Sequence, residues 1–322
     1  MSMVKYIIQR ILLMLFVFAV IMVLCFLLIK ALPLGDPGPG EIGEIVKRRW
    51  EMLGYYKPVW EQLGILVKNV FTEWNWGVST SIDKWAPVTE VMGDRITPTI
   101  LINIYSLLIS VPIGIVLGIF AALKKNKWQD HVISTGVMLF ISVPSFVYAF
   151  LVQYIFAFKL NWLPPICASL NDAGNSWFSG AMTKSLLLPV MSLSFGTIAG
   201  LTRSTRAELT EALTSDYMLL ARTKGLTRAQ AIWRHALKNA MVPILPGIIS
   251  SFVGILGGSF IIEQIFAVPG VGRLYITALT MRDYDVFIFD TAFYTFIGLA
   301  ANILIDLSYG FLDPRVRMGS KK

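Results

Sequence analysis

The chain has 322 residues, of which 55% are hydrophobic and 15% charged, and its mean hydropathy is +0.65. This composition excludes an ordinary soluble globule and indicates several membrane-spanning helices. The net charge of +8 would also suit a nucleic-acid-binding protein. The basic residues are, however, concentrated in particular loops between apolar runs, which is typical of membrane topology.

The first apolar run covers Ile11 to Ile29 and is flanked by Lys5, Arg10 and Lys30. It is too long for the core of a signal peptide and lacks a small-residue cleavage site. At about 1.5 Å per residue it crosses a hydrocarbon core of about 30 Å. We therefore expect residues 1–31 to form an uncleaved N-terminal transmembrane helix.

A change in composition follows, and residues 32–95 are predicted to be an extracytoplasmic segment. Its Pro- and Gly-rich beginning cannot continue a helix. Residues 38–43 match the dinucleotide pattern GxGxxG, but no strand precedes them, so we reject that interpretation. Residues 44–60 show helical spacing. Three tryptophans are candidates for the interfacial aromatic belt: Trp74, Trp76 and Trp85.

Five further apolar runs are predicted to cross the membrane, at residues 100–123, 132–158, 186–201, 242–262 and 286–309. The second span contains Gly114-x3-Gly118 and the fifth contains Gly254-x3-Gly258, a spacing that lets helix backbones approach closely. Pro144 is predicted to kink the third span. Lys and Arg concentrate on one side, which predicts that both termini and residues 203–241 are cytoplasmic. Cys25 and Cys167 should lie at different depths, so no disulfide is expected.

A polar, basic island from Ser215 to Pro243 interrupts the apolar pattern. Ser215 is a predicted N-cap, and Gly225 is placed to end the first short helix in the left-handed conformation. Thr227 and Gln230 have the spacing of a capping box that opens a second helix. Two helices joined by a tight turn would form a rigid knob suited to a groove on a partner.

This island resembles the ATPase-docking loop of ABC importer permeases, in the form found in the dipeptide/oligopeptide/nickel branch. Leu219 and Lys224 depart from the general EAA pattern, where Glu and often Asp stand, but fit that branch. The matching residues are Tyr217, Ala221, Arg222, Lys224, Gly225, Leu226, Arg234, His235, Ala236, Leu237, Asn239, Ala240 and Pro243.

The loop at residues 263–285 also resembles this branch. The matching residues are Glu263, Ile265, Phe266, Pro269, Gly270, Gly272, Leu274, Arg282, Asp283 and Tyr284. The resemblance implies a loop at the outer mouth that gates the pore or touches cargo, with Glu263, Phe266, Pro269, Gly270 and Gly272 as its site. The alternative is a plain connector in which Asp283 caps the next helix.

The resemblance implies an all-α integral membrane protein with six transmembrane helices in the type I (MetI-like) permease fold. Residues 96–311 would be the permease core, with a cytoplasmic tail at 312–322. Implied partners are a second homologous permease, two ABC ATPase subunits that hold the ATP and magnesium, and an extracellular binding protein. This chain would hold no cofactor and would not itself be an enzyme. Oligopeptides or dipeptides are the expected cargo, and oligosaccharides or nickel chelates remain alternatives. The membrane would be the bacterial or archaeal cell membrane.

Few residues suggest other chemistry. Asp306 was identified as the only acid deep in a span, and a structural ion pair is the favoured interpretation. His131 and His235 have no further ligands at metal-binding spacing, and no phosphate-binding loop is present. An ion-coupled secondary transporter is the alternative from another class, but it would predict several buried charges or an internal repeat.

Overall fold

The computed structural model describes residues 3–253 and 259–312 of the chain. The described part is helical apart from turns, loops and one isolated bridge between Val78 and Pro87. Its helices are α1 (Met3–Lys30), α2 (Gly40–Met52), α3 (Val59–Glu73), α4 (Val88–Leu123), α5 (Trp128–Ser142), α6 (Ser145–Gln153), α7 (Gly180–Leu213), α8 (Asp216–Thr223), α9 (Arg228–Ala231), α10 (Leu237–Val253), α11 (Phe260–Ile265), α12 (Val271–Thr280) and α13 (Tyr284–Leu312). Two π-helical turns, Tyr154–Lys159 and Ile232–Ala236, follow α6 and α9.

Within the described residues, 4 helices are long and apolar enough to cross a membrane. They are the ranges Ile7–Lys30, Val88–Leu123, Gly180–Leu213 and Tyr284–Ile305. All four begin before the corresponding predicted runs, because polar residues extend each helix at its start. The chain is therefore a multi-pass membrane protein.

The third predicted span is broken rather than gently kinked. The two parts, Trp128–Ser142 and Ser145–Lys159, meet at an angle of 103°. Val143 and Pro144 have extended ψ angles of 129° and 142°, as expected where a proline disfavours helical geometry in the residue before it. Counted as one bent span, this pair brings the candidate spans among the described residues to 5.

The fifth predicted span is only partly described. α10 continues to Val253, and α11 begins at Phe260. The predicted Gly254-x3-Gly258 packing face falls on residues 254–258, outside the described part of the chain.

The closest helix packing joins α4 to α7. A Cβ atom on Gly114 would lie 2.7 Å from Leu201 Cβ, and one on Gly118 would lie 2.5 Å from Thr205 Cβ. The Thr202 hydroxyl also donates to the Gly114 carbonyl at 3.2 Å. The predicted role of Gly114-x3-Gly118 in close backbone approach is therefore confirmed.

The segment between the first two spans contains two helices, α2 and α3, rather than the single helical stretch predicted at residues 44–60. The break falls at Gly54, which has a φ of +78°, followed by Pro58 at the start of α3. Apolar residues of α3 pack against the outer ends of α1 and α13. The segment is thus folded onto the helix bundle.

Candidate coupling hairpin and outer loop

The turn after α8 has the predicted glycine geometry. Gly225 has a φ of +86°, its amide donates to the Arg222 carbonyl at 3.0 Å, and the Leu226 amide donates to the Ala221 carbonyl at 3.3 Å. This hydrogen-bond pair is the Schellman motif, which satisfies two carbonyl groups at the helix end. The left-handed conformation predicted for Gly225 is confirmed.

The start of the next helix also matches the prediction. The Gln230 amide donates to the Thr227 hydroxyl at 3.3 Å, and the Thr227 amide donates to the Gln230 side-chain oxygen at 3.0 Å. The capping box is therefore formed. Ser215 occupies the N-cap position of α8, but its hydroxyl donates backwards to the Ala212 carbonyl at 2.6 Å and caps no amide of α8.

The hairpin formed by α8, α9 and the start of α10 (residues 215–241, below called the coupling hairpin) is packed firmly onto the bundle. One apolar cluster joins Ala122 of α4, Leu209 and Ala212 of α7, and six small or apolar residues of the hairpin: Met218, Ala221, Ala231, Ile232, Ala236 and Ala240. Mostly small side chains at this contact allow the backbones to lie close together. A force on the hairpin would therefore reach α4 and α7 directly.

The opposite surface of the coupling hairpin exposes apolar side chains. Tyr217, Leu219, Leu220 and Trp233 are 37%, 66%, 55% and 66% exposed. Exposed basic residues border them: Arg222, Lys224 and Arg234. Large exposed apolar side chains concentrated in one short hairpin suit a protein-binding surface. Leu220 and Trp233 were missed by the sequence interpretation, which followed the resemblance rather than helix faces.

The predicted coupling residues thus divide by burial. Tyr217, Arg222, Lys224, Gly225 and Arg234 are exposed, whereas Ala221 is buried in the cluster. Leu226 and His235 are half-buried. The exposed residues are accessible to a partner, whereas Ala221 packs the hairpin against α4 and α7.

A buried ion pair connects two helices next to this hairpin. Asp130, at the start of α5, accepts from Arg206 Nε at 2.5 Å and from Arg206 Nη2 at 2.8 Å. Asp130 is 1% exposed and also accepts from the Asn126 amide at 2.9 Å. Neither Asp130 nor this pairing was identified from the sequence.

The outer loop (residues 263–285) is built around a buried carboxylate. Glu263 accepts from the Thr99 hydroxyl at 2.9 Å and from the Arg273 amide at 3.0 Å. The Thr99 hydroxyl in turn accepts from the Val271 amide at 2.9 Å. Thr99 of α4 therefore ties α11 to α12 through one side chain.

Two glycines allow the chain to wrap around this carboxylate. A Cβ atom on Gly270 would lie 2.4 Å from both Glu263 Oε2 and Thr99 Oγ1, and one on Gly272 would lie 3.0 Å from Glu263 Oε2. Phe266 is fully buried, and its carbonyl accepts from the Cys167 amide at 2.8 Å. Pro269 is half-buried beside them. The structure brings all five predicted outer-loop residues into one turn.

The end of this loop holds the segment between the first two spans. The Asp283 carboxylate accepts from the Ser79 hydroxyl at 2.6 Å and from the amides of Ser81 and Ile82 at 2.9 and 3.0 Å. Asp285 accepts from the Tyr55 hydroxyl at 2.5 Å and pairs with Lys30 at 3.2 Å. Asp283 also stands directly before α13, where its backbone carbonyl accepts from the Phe287 amide at 3.0 Å.

The description of Asp306 as the only acid deep in a span is also wrong. Asp290 lies one to two turns into α13 and is fully buried, and among the described residues neither of its carboxylate oxygens has a hydrogen-bond partner. The buried Tyr294 hydroxyl, one turn further, likewise has none. Asp290 lies inside the predicted sixth span, so the sequence alone could have identified it as a second acid within a span. The side chain of Asp306 lies outside the described part.

A resident metal centre finds no support in the described side chains. No group of three or more His, Cys, Asp or Glu residues is arranged to hold a metal ion there. The acids of the outer loop are instead satisfied by hydroxyl and amide donors or, at Asp285, by a lysine. The hairpin thus presents exposed apolar side chains, and the loop from 263 to 285 is a hydrogen-bonded turn.

Residues 114–318 match the family model described as binding-protein-dependent transport system inner membrane component. The chain therefore belongs to this family of transport permeases. It is 35% identical over 307 residues to a peptide transport system permease protein of Brucella abortus (strain 2308), covering 94% of this chain and 95% of that protein.

A second sequence relative agrees with this assignment. The chain is 30% identical over 320 residues to the glutathione transport system permease protein GsiC of Escherichia coli (strain K12), covering 98% of this chain and 99% of that protein. A solved structure of an amino acid ABC transporter aligns at a TM-score of 0.49 and 21% identity, covering 69% of this chain and 94% of that chain. The family assignment rests on the family model and the sequence relatives.

Proposed function

We propose that this chain is a permease subunit of an ATP-driven ABC importer that takes up short peptides delivered by an extracellular binding protein. The single observation that carries the transport role is the coupling hairpin, which exposes apolar side chains on one surface and packs on α4 and α7 with the other. The peptide cargo is supported by relatives named for peptide and glutathione transport.

The assembly follows from this role. The subunit would work with a second homologous permease, two ABC ATPase subunits that hold ATP and magnesium, and the binding protein. Six spans with both termini in the cytoplasm remain our proposed topology. The predicted sites keep their proposed roles, with the exposed hairpin residues binding the ATPase and the turn from Glu263 to Gly272 controlling the outer mouth.

One helix provides a physical route between these two sites. α4 contacts the coupling hairpin through Ala122 and holds the outer loop through Thr99. Thr99 and Ala122 are 23 positions apart, which corresponds to about 35 Å at 1.5 Å per residue, the thickness of a bilayer core plus part of its interface. When the ATPase subunits close, movement of the hairpin would tilt α4 and α7 together and displace the outer turn.

Uptake measurements test this function. Cells that lack the chromosomal copy, with and without this chain restored, should differ in accumulation of a labelled tripeptide. Depletion of ATP should abolish the difference, whereas collapse of the proton gradient at fixed ATP should not. Unchanged tripeptide uptake together with lost oligosaccharide or nickel-chelate uptake would overturn the peptide cargo. Uptake that follows the proton gradient would favour the ion-coupled alternative.

A further inference from the structure

Helix α3 has apolar side chains on two adjacent sides. Val59, Leu63 and Leu66 pack against a buried cluster formed by the ends of α1 and α13. A second group, Trp60, Val67, Phe71 and Trp74, is 67%, 45%, 86% and 66% exposed. At about 100° per residue the two groups are centred about a quarter of a turn apart. The exposed group therefore forms a stripe on one side of α3, which Trp74 extends at the C-cap position.

The packed side of α3 fixes its depth relative to the bilayer. Its partners include Phe26 and Ile29 of α1, whose apolar span ends at Lys30. Phe26 lies roughly 6 Å along the axis before that end, at 1.5 Å per residue. The partner on α13, Ile288, lies four residues after the start of its span. Half of a hydrocarbon core is about 15 Å thick, so α3 lies beside its outermost turns.

The third side of α3 is polar. Glu61, Lys68 and Thr72 are exposed and lie together on the face away from both apolar groups. A helix with the bundle on one side, an apolar stripe on the next and polar residues on the third has the pattern of an amphipathic helix lying in the plane of the interface.

We propose that α3 lies in the membrane interface, with the stripe of Trp60, Val67, Phe71 and Trp74 inserted among the acyl chains of the leaflet in which α1 ends. Tryptophans occupy both ends of the stripe, as expected at the boundary between headgroups and hydrocarbon. On the same end of α1, Leu24 and Leu28 are 55% and 72% exposed. Lys68 borders the stripe and can reach lipid phosphates.

This placement gives the lipid-bound helix a mechanical role. The segment that contains α3 holds the end of the outer loop through Tyr55 and Asp285 and through Ser79 and Asp283. The position of the outer loop is therefore fixed relative to the bilayer surface as well as to the helix bundle. The proposal needs only that the chain spans a membrane, so it stands or falls separately from the cargo and the ATPase.

Spin labels on α3 test the proposal in the assembled transporter reconstituted into lipid. With Cys25 and Cys167 replaced by alanine, nitroxides are attached to Val67→Cys and Phe71→Cys, and to Lys68→Cys and Thr72→Cys as matched controls on the polar face. We expect collisions with oxygen to exceed those with a water-soluble nickel chelate at 67 and 71, and the order to reverse at 68 and 72. A bimane label at the same positions should be quenched by nitroxide-bearing lipids only at 67 and 71.

Two results would overturn the lipid contact. Equal access of the nickel chelate at all four positions would place the stripe in water. Shielding of 67 and 71 from both reagents, relieved when the second permease is omitted, would make the occupant a protein. Peptide transport by each labelled variant shows that the assembly is intact, so these outcomes concern α3 and leave the transport function untouched.

Discussion

Arg206 donates two hydrogen bonds to Asp130, from Nε at 2.5 Å and from Nη2 at 2.8 Å, and so joins α7 to the start of α5 beside the coupling hairpin. The carboxylate is 2% exposed, whereas the arginine side chain is 32% exposed. Burial thus removes water mainly from the Asp130 carboxylate and much less from the Arg206 guanidinium. The planar guanidinium holds both carboxylate oxygens in one geometry, a task that lysine cannot perform.

Loss of either partner should destabilise the protein. Breaking a buried pair by removing one partner costs about 3–5 kcal/mol, and the partial exposure of Arg206 places Asp130→Ala toward the low end. Thermal unfolding of the purified subunit should show a clear drop in its midpoint for Asp130→Ala. The double variant Asp130→Leu with Arg206→Met should recover part of the loss, because it leaves no unpaired charge. An unchanged midpoint in Asp130→Ala would show that the pair contributes nothing.

The turn at Gly225 should be sensitive to backbone strain alone. No atom outside the turn lies within 4 Å of the position that a Cβ would take, so a side chain would not clash. The φ of +86°, however, costs an L-residue about 1–2 kcal/mol. Gly225→Val should weaken ATPase binding and transport while membrane abundance stays normal. Gly225→Ala should be milder, and Gly225→Asn milder still because asparagine tolerates this region. Co-purification of the ATPase measures the series, and wild-type uptake in Gly225→Val would mean that the docking site lies elsewhere.

The hairpin turn was predictable from sequence because its determinants are local. Gly225, Thr227 and Gln230 act over three residues or fewer, so their spacing carries the information. The Asp130–Arg206 pair joins residues 76 apart, and the Ser79–Asp283 bond joins residues 204 apart. Such contacts follow from how helices stack, which a single sequence does not reveal. Asp290 was overlooked for a different reason, since its position in an apolar run was visible.

A side chain at Gly270 should disrupt the outer turn. A Cβ would stand 2.4 Å from Glu263 Oε2 and from Thr99 Oγ1, so the carboxylate or the α4 backbone must move. Gly270→Ala should therefore lower the unfolding midpoint and reduce transport. Gly136→Ala is the matched control, because nothing lies within 4 Å of its Cβ position in α5 and alanine favours a helix. Equal behaviour of the two variants would contradict the tight turn.

Membrane topology can be mapped without removing every native thiol. Burial raises the pKa of the Cys167 thiol, and the side chain is 8% exposed, so the reactive thiolate is scarce at pH 7 to 8. We expect Cys167 to resist an impermeant maleimide in intact cells. Asn171→Cys should then label from outside, and Lys125→Cys only after lysis. Lys125 is preferable to its neighbour Asn126, whose φ is +63°. External labelling of Lys125→Cys would reverse the proposed orientation.

Asp290 separates the ATP-driven mechanism from an ion-coupled one. Neither of its oxygens has a partner in the described structure, and an unpaired charge without water contact would be very costly. An ion-coupled transporter would use such an acid to bind and release its coupling ion. In the ATP-driven mechanism no step needs this acid. The variant Asp290→Asn keeps the shape of the side chain but cannot ionise. It should therefore retain tripeptide uptake with the same dependence on external pH. Asp290→Leu should be no less stable than wild type if the larger side chain fits, since a buried polar group without partners contributes no stability. Loss of uptake in Asp290→Asn at normal abundance, together with a changed pH profile, would return the ion-coupled mechanism to consideration.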